Sequence, residues 1–109
     1  MRLHEEFEWD AKKAKANTRK HKGVTFKVAE AVLADDEADL YHVENFDDAH
    51  SLSEDRHTTI GSYPADRRVV LSICWTDRWV EKKRVTRIIS ARYVNTKEKI
   101  HYGKEISGR

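Results

Sequence analysis

The sequence predicts a single α+β domain, with two helices near its start, a small antiparallel sheet after them and a helix at its end. Three observations lead there. Residues 11–33 hold two segments of helical spacing, each preceded by a capping residue. From Arg56 onward the pattern turns β, and a third capping signal at Asn95 follows the last strand. Helices and strands that come in runs, rather than alternating one by one, make α+β the matching class. At 109 residues the chain is one domain, 1–109, with enough surface to bury one core and no second.

Leu3–Glu8 is short and mixed, as an edge strand would be. Asp10 is placed to cap a first helix over Ala11–His21, with Gly23 where a C-terminal glycine belongs. Ala11 and Ala14 are its apolar contacts, and Asn17 and His21 share the face of Ala14. Polar groups on a packing face must be hydrogen-bonded or look into a site. Thr25 caps a second helix, whose Phe26, Ala29, Val32 and Leu33 form one core stripe. Asp35-Asp36-Glu37 ends it, and Leu40–Phe46 is a candidate strand. His57–Tyr63 is a strand closed by the turn Pro64-Ala65-Asp66. Val69–Trp75, nearly all apolar, fits a central strand buried on both faces. Asp77–Glu81 reads as the next connection. Lys82–Arg92 then alternates, with Val85, Arg87, Ile89 and Ala91 on one face and Arg84, Thr86, Ile88, Ser90 and Arg92 on the other. Asn95 with Glu98 forms a capping pair for the last helix. The sheet expected is a meander of three or four antiparallel strands.

Composition narrows the class. Charged residues make up 37% of the chain, against roughly 25% in most proteins, yet three Trp, four Tyr and three Phe oppose disorder. No run nears the ~18 apolar residues of a membrane span, and the first residues lack the apolar core of a signal peptide. A lone Cys74 rules out an internal disulfide and fits a reducing, cytoplasmic setting. The net charge of +2 divides into +4 over residues 1–27, −10 over 28–55 and +8 over 56–109. Either the basic parts form a patch for polyanions, or the acidic block neutralises them in three dimensions.

Arginines on or beside strands need a reason. Arg56, Arg78, Arg84, Arg87 and Arg92 are so placed, and Arg87 is the sharpest case because its parity sets it among Val85, Ile89 and Ala91. A guanidinium there pairs with a buried carboxylate or lines an anion-binding cleft. Arg87 and Arg92 are five residues apart, so a regular strand sends them to opposite faces and one shared site requires a bulge or a strand end. Glu54 and Arg56 fall on one face of an extended backbone, either as a surface salt bridge or as a base held ionised by its neighbour. Of six histidines, none has the spacing of a helical metal site and Cys74 has no thiol partner, so neither metal nor cofactor is expected. His21 looks inward beside Lys20 and Lys22, as an acid, a base or a cap on the helix dipole. Trp75 reads as core, and Trp79 as the more exposed ring.

Phe7-Glu8-Trp9-Asp10, followed by Lys13, Asn17 and Lys20-His21, resembles the opening of the BrnT toxin family. Gly23, Val24 and Phe26 continue the likeness, with Lys22 inserted before the glycine. Glu54-x-Arg56 with Gly61 resembles the family's middle motif, and Thr76-Asp77-Arg78 stands where Thr-Glu-Arg is usual. Arg87-Ile88-Ile89-Ser90-Ala91-Arg92, then Glu98 and Tyr102, is the strongest match.

The resemblance implies a RelE-like fold and a ribonuclease toxin of a type II toxin–antitoxin pair that blocks translation by cutting RNA. Its partner would be a BrnA-like ribbon-helix-helix antitoxin, in a heterotetramer that binds DNA through the antitoxin. Cleavage without metal requires a deprotonated 2′-hydroxyl, a stabilised phosphorane and a protonated leaving oxygen. Arg78, Arg87 and Arg92 would stabilise the transition state, and Lys13, Lys20 and Arg56 would position the RNA backbone. Glu54 or His21 would be the base or acid. A non-catalytic module binding RNA or a partner on the same fold, a degenerate toxin, is the alternative, because fold does not determine function.

Overall fold

Side-chain caps start the three longer helices in the computed structural model, which describes residues 4–45 and 56–109. The Asp10 carboxylate accepts from the amides of Lys12 (2.8 Å) and Lys13 (3.1 Å) and opens α1, Ala11–Lys20. The helix ends at Lys20 with His21 rather than Gly23 as its cap residue, and both Lys22 (φ 54°) and Gly23 (φ 85°) turn the chain through left-handed backbone. That conformation costs a residue with a Cβ about 1 kcal/mol or more. The inserted lysine therefore lies inside the turn. Thr25 caps α2, Phe26–Leu33, and all four residues of its expected stripe are buried.

The acidic segment that follows is not a plain solvated connection. Asp35 is only 8% exposed and pairs with Arg67 at 2.5 Å, while the Arg67 guanidinium lies 3.7 Å from the centre of the Tyr41 ring. The Asp35 carboxylate also accepts from the Glu37 amide, and a helical turn, α3 (Ala38–Tyr41), precedes β2, His42–Asn45. The strand expected from Leu40 thus begins at His42, and Phe46 lies outside the described residues.

Among the described residues the sheet has five strands rather than three or four. β3 (Arg56–Tyr63), β4 (Asp66–Val80) and β5 (Lys83–Tyr93) form the expected antiparallel meander. β2 joins the free edge of β3, and a two-residue strand β1, Phe7–Glu8, pairs parallel to β5, giving the order β1-β5-β4-β3-β2. Asp77–Val80, expected in a connection, continues β4. Its polar residues pair across the strands, as in the 2.6 Å bond from Arg84 to Asp77, and the turn is only Glu81-Lys82, both at positive φ. Two such residues make the type I′ geometry that matches strand twist.

Leu71, Ile73 and Trp75 face α1 and α2 and pack with Phe26, Ala29, Val32 and Leu33. Gly61 lies beneath this contact, where a Cβ would come within 2.9 Å of Val32 Cγ1. On the opposite face, α4 (Thr96–Ser107) covers one end of the sheet with Tyr102 against Val43 and Ile60. The expected capping box between Asn95 and Glu98 is complete.

The alternation expected along β5 breaks in the middle. Ser90 pairs with Cys74 and Ile88 with Trp75, so Ile89 is an extra residue with no partner on β4. Ile88 and Ala91 consequently both belong to the helix-covered core, three residues apart. Ala91 is therefore not on the face of Arg87, and Arg92 is. Asn17 secures the strand just past the bulge. Its amide donates to the Ala91 carbonyl (2.8 Å) and accepts from the Ala91 amide (3.0 Å), supplying the bonds of a missing neighbour strand beyond the end of β1. The polar face of α1 is thus explained by hydrogen bonding at this position.

Candidate functional site

Register across three strands builds a row of side chains on the face away from α2. Arg56 pairs with Thr76, Thr76 pairs with Arg87, and Arg78 follows two residues along β4 on the same side. With Lys13 from α1, Asp77 and Ile89, these residues line an open cleft of about 500 Å³. Four of the seven lining side chains are cationic, and Asp77 already accepts a bond from Arg84. The surplus of positive charge belongs to three guanidiniums and one ammonium.

One carboxylate organises the cleft arginines. Glu8 Oε1 lies 3.1 Å from Arg78 Nε and 3.5 Å from Arg87 Nη1, so a residue of β1 links neighbouring strands. The two guanidiniums share this partner and keep donors for an anion in the cleft. Arg87 is 29% exposed and Arg78 is 50% exposed, so the former is the more deeply set. The amides of Lys13 and Lys12, with the charges of Lys13 and Arg87, hold the nearby Asp10 carboxyl below its ordinary range against a smaller effect of burial.

Arg92 occupies a different place. Because of the bulge it is on the same face as Arg87, but it pairs with Ser72 while Arg87 pairs with Thr76. Four residues of β4 separate the two rows, about 13 Å at the usual strand rise. Its guanidinium is committed to Glu98 through two bonds of 2.7 and 2.9 Å, and a third at 3.3 Å reaches the Tyr93 carbonyl. The Arg92 bonds hold the Glu98 carboxyl below its ordinary value.

Lys20 and His21 gather with Arg92 and not with Arg87. Together with Lys22, Tyr93 and Val94 they line a second depression of about 370 Å³. Burial first, then the charges of Lys20 and Arg92, lowers the pKa of His21 from its ordinary 6.5. The site residues expected from sequence thus divide into Lys13, Arg56, Arg78 and Arg87 in the cleft, and Lys20, His21 and Arg92 in the depression. Glu54 lies outside the described residues.

Sequence reasoning missed Glu8, Thr76 and Ile89 beside the arginines, and Lys22 and Val94 in the depression. Glu8 was visible only as part of the Phe7–Asp10 motif, since nothing local tells that it meets Arg78 seventy residues later. Trp79 is 72% exposed and Trp75 is 3% exposed, as expected, with the indole of Trp75 donating to Thr59 Oγ1 at 2.8 Å.

Among the described residues, no three His, Cys, Asp or Glu side chains gather as a metal site, and no helix is long and apolar enough to cross a membrane. No curated protein matches the chain. A family model described as the ribonuclease toxin BrnT of type II toxin–antitoxin systems matches residues 9–98. The match takes in α1 through the start of α4, with every described residue of the cleft wall inside it. By that match the chain belongs to the BrnT family of ribonuclease toxins, whose systems pair a toxin with an antitoxin.

Proposed function

We propose that this protein is an endoribonuclease that cuts RNA in the Arg78–Arg87 cleft without a metal ion. The convergence of Lys13, Arg56, Arg78 and Arg87 on one open face carries the reading. In the reaction the ribose 2′-oxygen attacks the adjacent phosphorus and the bond from phosphorus to the 5′-oxygen breaks. The products are a 2′,3′-cyclic phosphate and a 5′-hydroxyl. A base takes the 2′-proton and an acid returns one to the leaving oxygen.

Arg87 and Arg78 stabilise the charge that develops on the phosphorane oxygens, and Glu8 keeps the two guanidiniums in position. Lys13 and Arg56 hold flanking phosphates. Glu54 is the proposed base, on the sequence ground that it precedes Arg56 by two residues. His21 is held toward its neutral form and is the other candidate, on an RNA bent toward the second depression. Arg92 supports the second depression and lies outside the reacting centre. Cleavage of cytoplasmic RNA would stop translation, and a BrnA-like ribbon-helix-helix antitoxin would neutralise the toxin in a heterotetramer bound to DNA through the antitoxin.

Purified protein incubated with single-stranded RNA and a chelator tests this. Fragments ending in cyclic phosphate, and their loss in Arg87→Ala, are the expected result. Intact RNA from folded, antitoxin-free protein would overturn the proposal and leave a binding module on the same fold.

A further inference from the structure

The second depression lies beside the cleft on β5, yet its chemistry is different. Its arginine is occupied by Glu98, so the charges facing solvent are those of Lys20 and Lys22. Lys22 stands at φ 54°, in the turn that the inserted residue creates after α1. Across from it, Tyr93 is 48% exposed, and the bond from Arg92 to its carbonyl ties down its backbone. An exposed ring opposite two ammonium groups, with Val94 adding apolar wall, suits a nucleotide whose base stacks while its phosphate meets lysine. A site for an acidic peptide would not need the ring.

We propose that this depression is a nucleotide-binding subsite that holds a base of single-stranded RNA on Tyr93 and its phosphate on Lys20 and Lys22, apart from the cleft arginines. The inference rests on the ribonuclease reading and adds a second grip on the same strand. It makes the enzyme select substrates long enough to reach both places. Stacking is tolerant of base identity, so the subsite contributes affinity and length preference more than sequence preference.

Two probes separate this proposal from the cleavage reading. The first is a fluorescein-labelled hexanucleotide with a 2′-O-methyl group on every ribose, which binds but cannot cyclise. Tyr93→Ala should weaken its binding roughly tenfold, Tyr93→Trp should preserve it, and Lys22→Ala should lower the slope of log affinity against log salt by about 0.7. The second is unmodified RNA of two or six nucleotides. The native enzyme should prefer the longer one in kcat/KM, and Tyr93→Ala should remove most of that preference through KM. If the probe binds and Tyr93→Ala weakens it, but no RNA is cut, the cleavage reading fails and the subsite stands. If RNA is cut while Tyr93→Ala leaves probe affinity and length preference unaltered, the subsite is overturned. Loss of binding to an acidic protein partner, with RNA affinity intact, would overturn it as well.

Discussion

Two arginines on the same face of one strand are held in opposite ways. Arg92 meets Glu98 through two short bonds, and that carboxylate also completes the capping box of α4. Arg87 shares one oxygen of Glu8 with Arg78 at 3.5 Å and opens onto a cleft whose other cations are Lys13 and Arg56. A guanidinium with its own carboxylate is part of the fold, and one that shares a carboxylate retains capacity for an incoming anion. Position on an arginine-rich strand is therefore a poor guide to role. The count and geometry of carboxylates around each arginine are a better one.

The strongest way to break the contrast is to insert one alanine between Ser90 and Ala91. With one more residue between paired positions, the chain beyond it changes face, sending Arg92 toward the core and Ala91 out of it. The cost should exceed about 4 kcal/mol, read as loss of a cooperative denaturant transition. Next, on the proposed function, Arg87→Ala should lower kcat/KM roughly 10²- to 10³-fold, with the unfolding midpoint nearly unchanged, because the role proposed for it is transition-state stabilisation. An equal loss of activity and stability would erase the distinction.

Arg92→Ala should act the other way round. It strands a Glu98 side chain that is only 14% exposed, for about 1–2 kcal/mol of stability after allowing for solvent around the guanidinium. The same pair has a pH signature. The Glu98 carboxyl is held below its ordinary 4.5, so its contribution is complete above that value and disappears as pH falls through the lower folded value. Acid unfolding curves of the native protein should show this dependence, and Arg92→Ala should flatten it. Glu8→Gln, which relieves the shared arginines of their partner's charge, should tighten RNA binding a few-fold at low salt while lowering kcat. The smallest effect expected is on His21, whose NMR titration midpoint lies below 6.5 and should move upward in Lys20→Ala as one of the charges lowering it is removed.

Asp10, Thr25 and the Asn95–Glu98 pair were legible because a cap and its amides lie within three residues of each other. The core stripe of α2 was legible for the same reason, its period being local. Glu8 was not, because its partners are on β4 and β5 and a two-residue parallel strand has no pattern of its own. The Asp35–Arg67 pair was hidden too, since an acidic run reads as solvated until a distant arginine is known to reach it. It joins the acidic block to the basic one, so part of the charge segregation is neutralised inside the fold.

The sequence by itself determined the α+β class, the helix starts, the Trp75 core strand and the set of arginines from which the cleft draws its charge. It also posed the condition that Arg87 and Arg92 need a bulge to share a face. Only the tertiary structure decided where that bulge lies, and that sharing a face does not place them in one cleft. The physical reason is range. Capping and periodicity act over a turn or two of chain, whereas register, bulges and shared carboxylates are settled by strands that meet across dozens of residues.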